Sequence, residues 1–195
     1  MRFDIILPTI GRPSLETTIQ SVLAQEYKDW HLYIVADGHC VTQNKLEKYF
    51  SEKISCDMLS KFHNDYGAAS RNNGISLGHS AWIAYVDDDD IWLPNHLTTL
   101  VSLGALRTDA NMLRTAGRSF AWRHKSPRSS KLVRKIGPVN TQDILTVGMA
   151  HTRELFNKTT GWQPADNHDH MLWKEMLGAG GISHVTETIT FEFER

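Results

Sequence analysis

The stretch Trp82-Ile83-Ala84-Tyr85-Val86-Asp87-Asp88-Asp89-Asp90 sets five apolar residues directly before four carboxylates. Five apolar residues in a row are the length of a buried strand. In sheets built from alternating strands and helices, the carboxyl end of such a strand is where ligands bind. Carboxylates delivered to one point repel each other, and a divalent cation or a hydrogen-bond network offsets that repulsion. In an extended segment Asp87 and Asp89 point to the same side, so two hard oxygen ligands converge on one cation. The competing reading is a solvated acidic turn. Four adjacent carboxylates also leave the register open, with Asp88 and Asp90 as substitutes.

Outward from this junction the chain alternates. Phe3 to Leu7 is a strand stopped by Pro8, and Ser14 caps a helix carrying Leu15, Ile19, Val22 and Leu23 on one face. Trp30 to Ala36 repeats the strand signal and stops at Asp37-Gly38. Val41 to Phe50 reads as a helix with Leu46, Tyr49 and Phe50 inward, and Met58 to His63 as a weaker strand. Ala68 to Leu77 is a helix carrying Arg71 and Asn72, ended by Gly78, before the strand at 82–86. The expected fold class is α/β with a mainly parallel central sheet, which places Thr9, Asp37 and Asp87 to Asp90 on one rim. Past Pro94 the pattern predicts a helix to about Leu106, an extended segment from Met112 to Trp122, and a mobile loop over 123–135. A strand over 144–150, a short helix over 152–156, a turn at Thr160-Gly161-Trp162, a helix starting at Asn167 or Asp169, and terminal strand structure over 182–193 complete it.

The bulk numbers are ordinary. At 195 residues the chain suits one domain, with about 1–95 and about 96–195 as its two halves. Hydrophobic content of 41%, charged content of 22% and a formal net charge of −1 predict no general attraction to polyanions. Cys40 and Cys56 lack metal-ligand spacing and point to reduced thiols. No apolar stretch reaches membrane-span length, so the expected setting is soluble and cytoplasmic.

Five motifs in order resemble the family 2 type inverting glycosyltransferases with the GT-A fold, a Rossmann-like nucleotide-diphospho-sugar transferase domain. They are Pro8-Thr9-Ile10-Gly11-Arg12, Val35-Ala36-Asp37-Gly38, Ala69-Ser70-Arg71-Asn72-Asn73-Gly74, the run Tyr85 to Pro94, and His168-Asp169-His170-Met171-Leu172-Trp173. The resemblance implies a nucleotide-sugar donor, uridine diphosphate by default, a Mn2+ or Mg2+ cofactor, and inversion at the anomeric carbon. It implies donor contacts from Thr9, Arg12, Asp37, Arg71, Asp87 and Asp88, and metal ligation by Asp87 and Asp89. Chemistry agrees: guanidinium suits diphosphate oxygens, and a cation neutralises the leaving group. Asp169 matches the family's base; the rival role for an Asp at a helix start is an N-cap. His168 stands where relatives more often have Glu, and Ala36 where they have an acid. The third metal ligand stays open among Glu192, Glu194 and His184.

Arg123, Lys125, Arg128, Lys131, Arg134 and Lys135 form a basic stretch without an acid, which points to an anionic acceptor: nucleic acid, a phosphorylated sugar or lipid, or an acidic glycan. A solvated surface loop is the plainer reading. Two alternatives accompany the transferase reading. One is a DNA-modifying glycosyltransferase acting on hydroxymethylated, flipped bases. The other is a noncatalytic nucleic-acid or nucleotide-sugar binding module. A sugar-1-phosphate nucleotidyltransferase is disfavoured, because Pro8 to Arg12 holds a single glycine.

Overall fold

A computed structural model describes residues 1–41, 43–123, 126–133 and 145–194. Strand β1 (Phe3–Thr9) leads through helix α1 (Leu15–Leu23) to β2 (Trp30–Ala36), a 3-10 turn (Gly38–Cys40), α2 (Gln43–Glu47) and β3 (Ile54–Met58). Helix α3 (Ala68–Leu77), β4 (Trp82–Tyr85), β5 (Ile91–Trp92), α4 (His96–Leu106), β6 (Met112–Arg123) and β7 (Ser126–Val133) follow. The chain then forms β8 (Met149–Thr152), α5 (Arg153–Phe156), α6 (His168–Gly178) and β9 (Ser183–Glu194). One sheet runs β3-β2-β1-β4-β8-β6-β9-β5, with β7 paired to β6. Strands β3, β2, β1 and β4 are parallel, the doubly wound half that the alternation predicted. Beyond β4 the sheet is mixed, with β8 antiparallel to both β4 and β6 and β9 parallel to β6.

Strand β1 is buried along its whole length because helices cover both faces. Phe3, Ile5 and Leu7 pack with Leu15, Ile19 and Val22 of α1, Leu46 of α2, and Leu97 and Leu100 of α4. Ile6 points the other way and joins Ile83, Tyr85, Ala68 and Ile75 of α3, Leu155 of α5, and Leu172, Trp173 and Met176 of α6. The period of two thus divides β1 between two apolar layers. Asp4, on the second face, is buried and satisfied: its carboxylate accepts from Arg153 Nη2 at 2.6 Å and from the Ser80 N–H at 2.7 Å.

Several boundaries differ from expectation. Pro8 does not stop β1, which continues to Thr9. The Ile6 carbonyl bonds Val86 on the β4 side, so the nitrogen of Pro8 faces the same side past the end of the β4 ladder and no bond is lost. Ser14 is already helical in φ and ψ, so its side chain makes no cap. Helix α2 is shorter than predicted and Phe50 is exposed, because tight turns after Glu47 rotate the tail outward. The third strand lies at 54–58, not 58–63; residues 62–64 instead cross the rim, where Asp37 binds them. The predicted strand over 144–150 is a 3-10 turn (Thr146–Gly148) leading into β8.

The loop predicted over 123–135 is a strand hairpin where it is described. Trp122 pairs with Pro127 and Gly117 with Val133, so Arg123, Arg128 and Lys131 lie on β6 and β7. Lys125, Arg134 and Lys135 fall outside the described residues.

Two fully buried histidines are held neutral. His151 Nε2 accepts from the Tyr85 hydroxyl at 2.7 Å while Nδ1 donates to the Thr152 carbonyl at 3.0 Å. His96 Nδ1 donates to Thr190 Oγ1 at 2.7 Å, and the ring stacks on Trp92. Burial lowers His96 to about 3 and His151 to about 4, from an ordinary 6.5. Above about pH 6.5 both rings are neutral folded or unfolded, and their contribution to stability is complete. Below it the unfolded chain takes up protons that the fold excludes, so stability falls as pH drops toward 4, by ~1.4 kcal/mol per pH unit for each ring. Urea midpoints measured at about pH 7 and about pH 5 should therefore separate more in the wild type than in His151→Gln.

Candidate active site

The aligned carboxyl ends of β1, β2 and β4 build one rim. Thr9 pairs with Ala36, the Asp37 N–H donates to the Thr9 carbonyl at 2.9 Å, and the Val86 N–H donates to the Ile6 carbonyl at 3.1 Å. Above them lies a cavity of about 310 Å3, at the small end of ligand pockets. Thr9, Arg12, Asp37, Arg71, Asp87, Asp88 and Asp89 all line it, as do Phe62, Tyr66 and His168. Residues separated by some eighty positions in sequence are thereby gathered at one place, as the strand order required.

The four aspartates divide by direction. Asp88 is 1% exposed; its Oδ2 accepts from Thr9 Oγ1 at 2.6 Å and from the Ile10 N–H at 3.2 Å, and its Oδ1 accepts from Arg12 Nη1. Asp90 is also buried, and its backbone carbonyl accepts from Thr18 Oγ1 at 2.8 Å. Burial, with Asp87 and Asp89 nearby, holds the Asp90 carboxyl well above the usual carboxylate range. Asp87 and Asp89 keep side-chain exposures of 29% and 31% and face the cavity. Burial raises the Asp89 carboxyl as well, with Arg12 opposing and Asp87 and Asp88 adding. The turn closed by Asp90 N–H to the Asp87 carbonyl at 3.0 Å produces this alternation, so the outward pair is Asp87 and Asp89.

Arg71 is the buried cation of the site. Its Nη2 donates to Asp87 Oδ1 at 2.5 Å, its Nη1 to the Tyr66 carbonyl at 2.7 Å, and its guanidinium carbon lies 4.7 Å from the Trp162 ring centroid. Trp162 is itself fixed by Asn72, whose amide donates to the Trp162 carbonyl at 2.9 Å and accepts its N–H at 3.0 Å. The tryptophan is buried against Tyr85 and is a wall of the core, not an exposed stacking surface. Gly67, at φ +80°, precedes α3; a Cβ there would lie 3.1 Å from Arg71 Nη1.

Asp37 is buried and holds the rim segment. Its Oδ1 accepts from the His63 N–H at 2.9 Å and contacts His63 Nδ1 at 3.0 Å, and its Oδ2 accepts from the Asn64 N–H at 3.0 Å. The close approach requires Gly38, at φ +63°, where a Cβ would meet the Phe62 nitrogen at 2.5 Å. Sequence reading missed this segment: Phe62, Tyr66 and the left-handed Asn64 (φ 50°) and Tyr66 (φ 58°) carry no periodic signal.

Asp169 sits in the first turn of α6, where the positive helix end favours its charge. It is not the N-cap, which is Asn167, and its Oδ1 accepts the His170 N–H at 2.8 Å. It is not among the residues lining the cavity, whereas His168 is. His184 lies 3.5 Å from Asp109, and neither it nor Glu192 lines the cavity. Among the described residues no group of three or more His, Cys, Asp and Glu is placed to hold a metal ion, and no helix is long and apolar enough to cross a membrane.

The profile of Glycosyl transferase family 2 matches residues 4–172. The chain belongs to that family. Among curated members, the UDP-Glc:alpha-D-GlcNAc-diphosphoundecaprenol beta-1,3-glucosyltransferase WfgD of Escherichia coli is 29% identical over 102 residues, 51% of this chain and 40% of its own. The glucosyl-dolichyl phosphate glucuronosyltransferase of Haloferax volcanii is 31% identical over 113 residues, 56% of this chain and 36% of its own. The chain thus spans less than half the length of either relative. The crystal structure of TarS 1–349 from S. aureus shares the fold with a TM-score of 0.77 at 15% identity, over 100% of this chain and 60% of that one. The same TarS fragment in complex with UDP-GlcNAc matches with a TM-score of 0.74. The family assignment accords with the single α/β sheet and its rim.

Asp88 and Asp89 should separate in stability measurements. Asp88→Asn removes a buried charge from three donors, including Arg12, and should cost about 2–3 kcal/mol. Asp89→Asn, about a third exposed and 3.6 Å from Arg12 Nε, should stay within about 0.5 kcal/mol. Urea unfolding of both variants checks the contrast.

Proposed function

We propose that this chain transfers a sugar from a uridine-diphosphate donor to an acceptor hydroxyl, with a divalent cation and with inversion at the anomeric carbon. The observation that carries the reading is the convergence of Asp37, Arg71, Asp87 and Asp89 on one cavity at the carboxyl ends of β1, β2 and β4. Relatives support the donor class: WfgD is named for UDP-Glc, and TarS was crystallised with UDP and with UDP-GlcNAc. Both curated relatives are named for phosphate-bearing lipid acceptors, which accords with an anionic acceptor and with the basic stretch Arg123 to Lys135.

The donor set suits Mn2+ or Mg2+. Two outward carboxylates, Asp87 and Asp89, are hard oxygen ligands, and such cations are commonly held by one or two carboxylates together with substrate phosphates. The bound cation would neutralise charge on the leaving diphosphate. Arg71, already beside Asp87, adds a second positive charge at the same place. Asp37 and the 62–66 segment form the wall suited to the nucleoside, with Asp37 accepting from the base. Thr9 and Arg12 hold Asp88, and through it the shape of the carboxylate turn. The acceptor's proton goes to the first turn of α6, where the family resemblance assigns Asp169.

UDP with Mn2+ at about a hundredfold excess over Kd should raise the melting temperature by about 5–10 °C. Asp89→Ala should lose the Mn2+-dependent part of that shift. A folded wild type that responds to no nucleotide would sink the donor reading.

A further inference from the structure

Within the transferase reading just given, we infer that the Ser70 hydroxyl is a specificity-determining group for the donor: it donates to a carbonyl oxygen of the uracil base, beside the N–H that Asp37 accepts. Ser70 lines the cavity and is fully buried, and its Oγ has no hydrogen-bond partner among the described residues. A buried hydroxyl left unpaired is costly, so one standing in a cavity wall points to a ligand atom.

A serine inside a helix has an ordinary alternative, a bond to a backbone carbonyl one turn back. Ser21 of α1 and Ser76 of α3 take it, donating to the Thr18 and Asn73 carbonyls, each at 2.7 Å. Ser70 does not. The carbonyl four residues before it is that of Tyr66, which accepts from Arg71 Nη1 at 2.7 Å instead. With no bond to break, Ser70 can step between staggered positions about χ1 and aim Oγ at a ligand. The adjoining rim segment has a second atom of this kind. Asp65 also lines the cavity; its Oδ2 accepts from the Ala69 N–H at 2.9 Å, while its buried Oδ1 has no partner among the described residues.

The contacts of α3 place Ser70 at the Asp37 end of the cavity. A Cβ on Gly74 would lie 2.9 Å from Ile6 Cγ2 and 3.3 Å from Val35 Cγ2, and one on Gly67 would lie 3.3 Å from Pro8 Cβ. The face shared by 67, 70 and 74 therefore rests on β1 and β2, with Ser70 one turn nearer the rim than Gly74. Asn73 leans toward β3, donating to Asp57 Oδ2 at 2.6 Å, and Arg71 leans toward the end of β4, where it meets Asp87. At about 100° per residue Ser70 falls between Asn73 and Arg71, on the β2 side of the contact. Asp37 follows Val35 by two residues and shares its side of the sheet.

The chemistry of uracil suits this pair. Its ring N–H lies between two carbonyl oxygens, and a carboxylate can satisfy only the N–H. A carbonyl drawn into the protein beside it needs a donor of its own. A serine hydroxyl supplies one without adding charge next to Asp37, and Arg71 stays with Asp87 at the other end. Adenine has no carbonyl, so the contact favours a carbonyl-bearing base.

Calorimetric titration of wild type and Ser70→Ala with UDP, 2-thio-UDP and 4-thio-UDP, in excess Mn2+, tests the contact. Sulfur is a poor acceptor and replaces one carbonyl oxygen in each analogue. Ser70→Ala should bind UDP about 3–10-fold more weakly than wild type. With one thio analogue the two proteins should agree within about twofold, because the acceptor is already gone; with the other the full difference should persist. Without ligand the variant should melt at or above the wild-type temperature, since it loses only an unpaired hydroxyl. UDP affinity unchanged in Ser70→Ala, or an equal loss with all three nucleotides, overturns the inference and leaves the donor reading intact. A ligand-free variant that melts well below wild type shows a hydroxyl bonded within the protein and overturns it too. Failure of the wild type to bind UDP overturns the donor reading and this inference together.

Discussion

Asp88 ties the end of β4 to the turn after β1, and the shape of the site follows from that tie. A carboxylate with almost no exposure must be met by donors, and Thr9 Oγ1, the Ile10 N–H and Arg12 supply them from residues nearly eighty positions away. With Asp88 held by these donors at the cavity's edge, the chain reversal at Asp87 to Asp90 leaves Asp87 and Asp89 as the more exposed carboxylates of the cavity. The same contact orders Ile10 to Arg12, where a loop after a strand would otherwise be free to move. Stability and site geometry are therefore joined in one side chain.

Around that anchor the site balances charge with few groups. Arg71 is almost fully buried and answers Asp87, the Tyr66 carbonyl and the face of Trp162 at once. A buried guanidinium is held only where several acceptors converge, so α3 must approach β4 at this height. Asn72 secures the other side by clasping both backbone groups of Trp162, which brings the 160–162 turn and the start of α6 over the cavity. His168 arrives there as a consequence. On the opposite wall Asp37 does for residues 63–64 what Asp88 does for 9–12: one buried carboxylate orders one loop.

Much of the fold was legible along the chain. The apolar run before four aspartates, the strand at 30–36 ending in Asp37, and the helix carrying Arg71 and Asn72 marked both the parallel half and its rim, because buried strands and covering helices leave periodic patterns. Short or edge elements were harder. Strand β3, with Ser55 and Asp57 in its middle, is only half-buried and leaves no such pattern, and the hairpin β6–β7 carries a basic, proline-containing sequence that reads as loop. Residues 62–66 form a wall through left-handed backbone and hydrogen bonds to Asp37, which no periodicity records.

By itself the sequence determined the alternation of strands and helices, the family motifs and the set of residues on the rim, since these depend on local pattern and on strand order. Only the tertiary structure decided which of the four adjacent carboxylates stay exposed at the cavity, because Asp88 is engaged by donors at a distant strand end. It also separated His168 from Asp169. Neighbours in sequence on one helical turn point in different directions, and burial, tautomer and hydrogen-bond partners are set by what packs against each: Arg71, Tyr66, Trp162 and the Ala165 carbonyl around the histidine, and the His170 N–H on the aspartate.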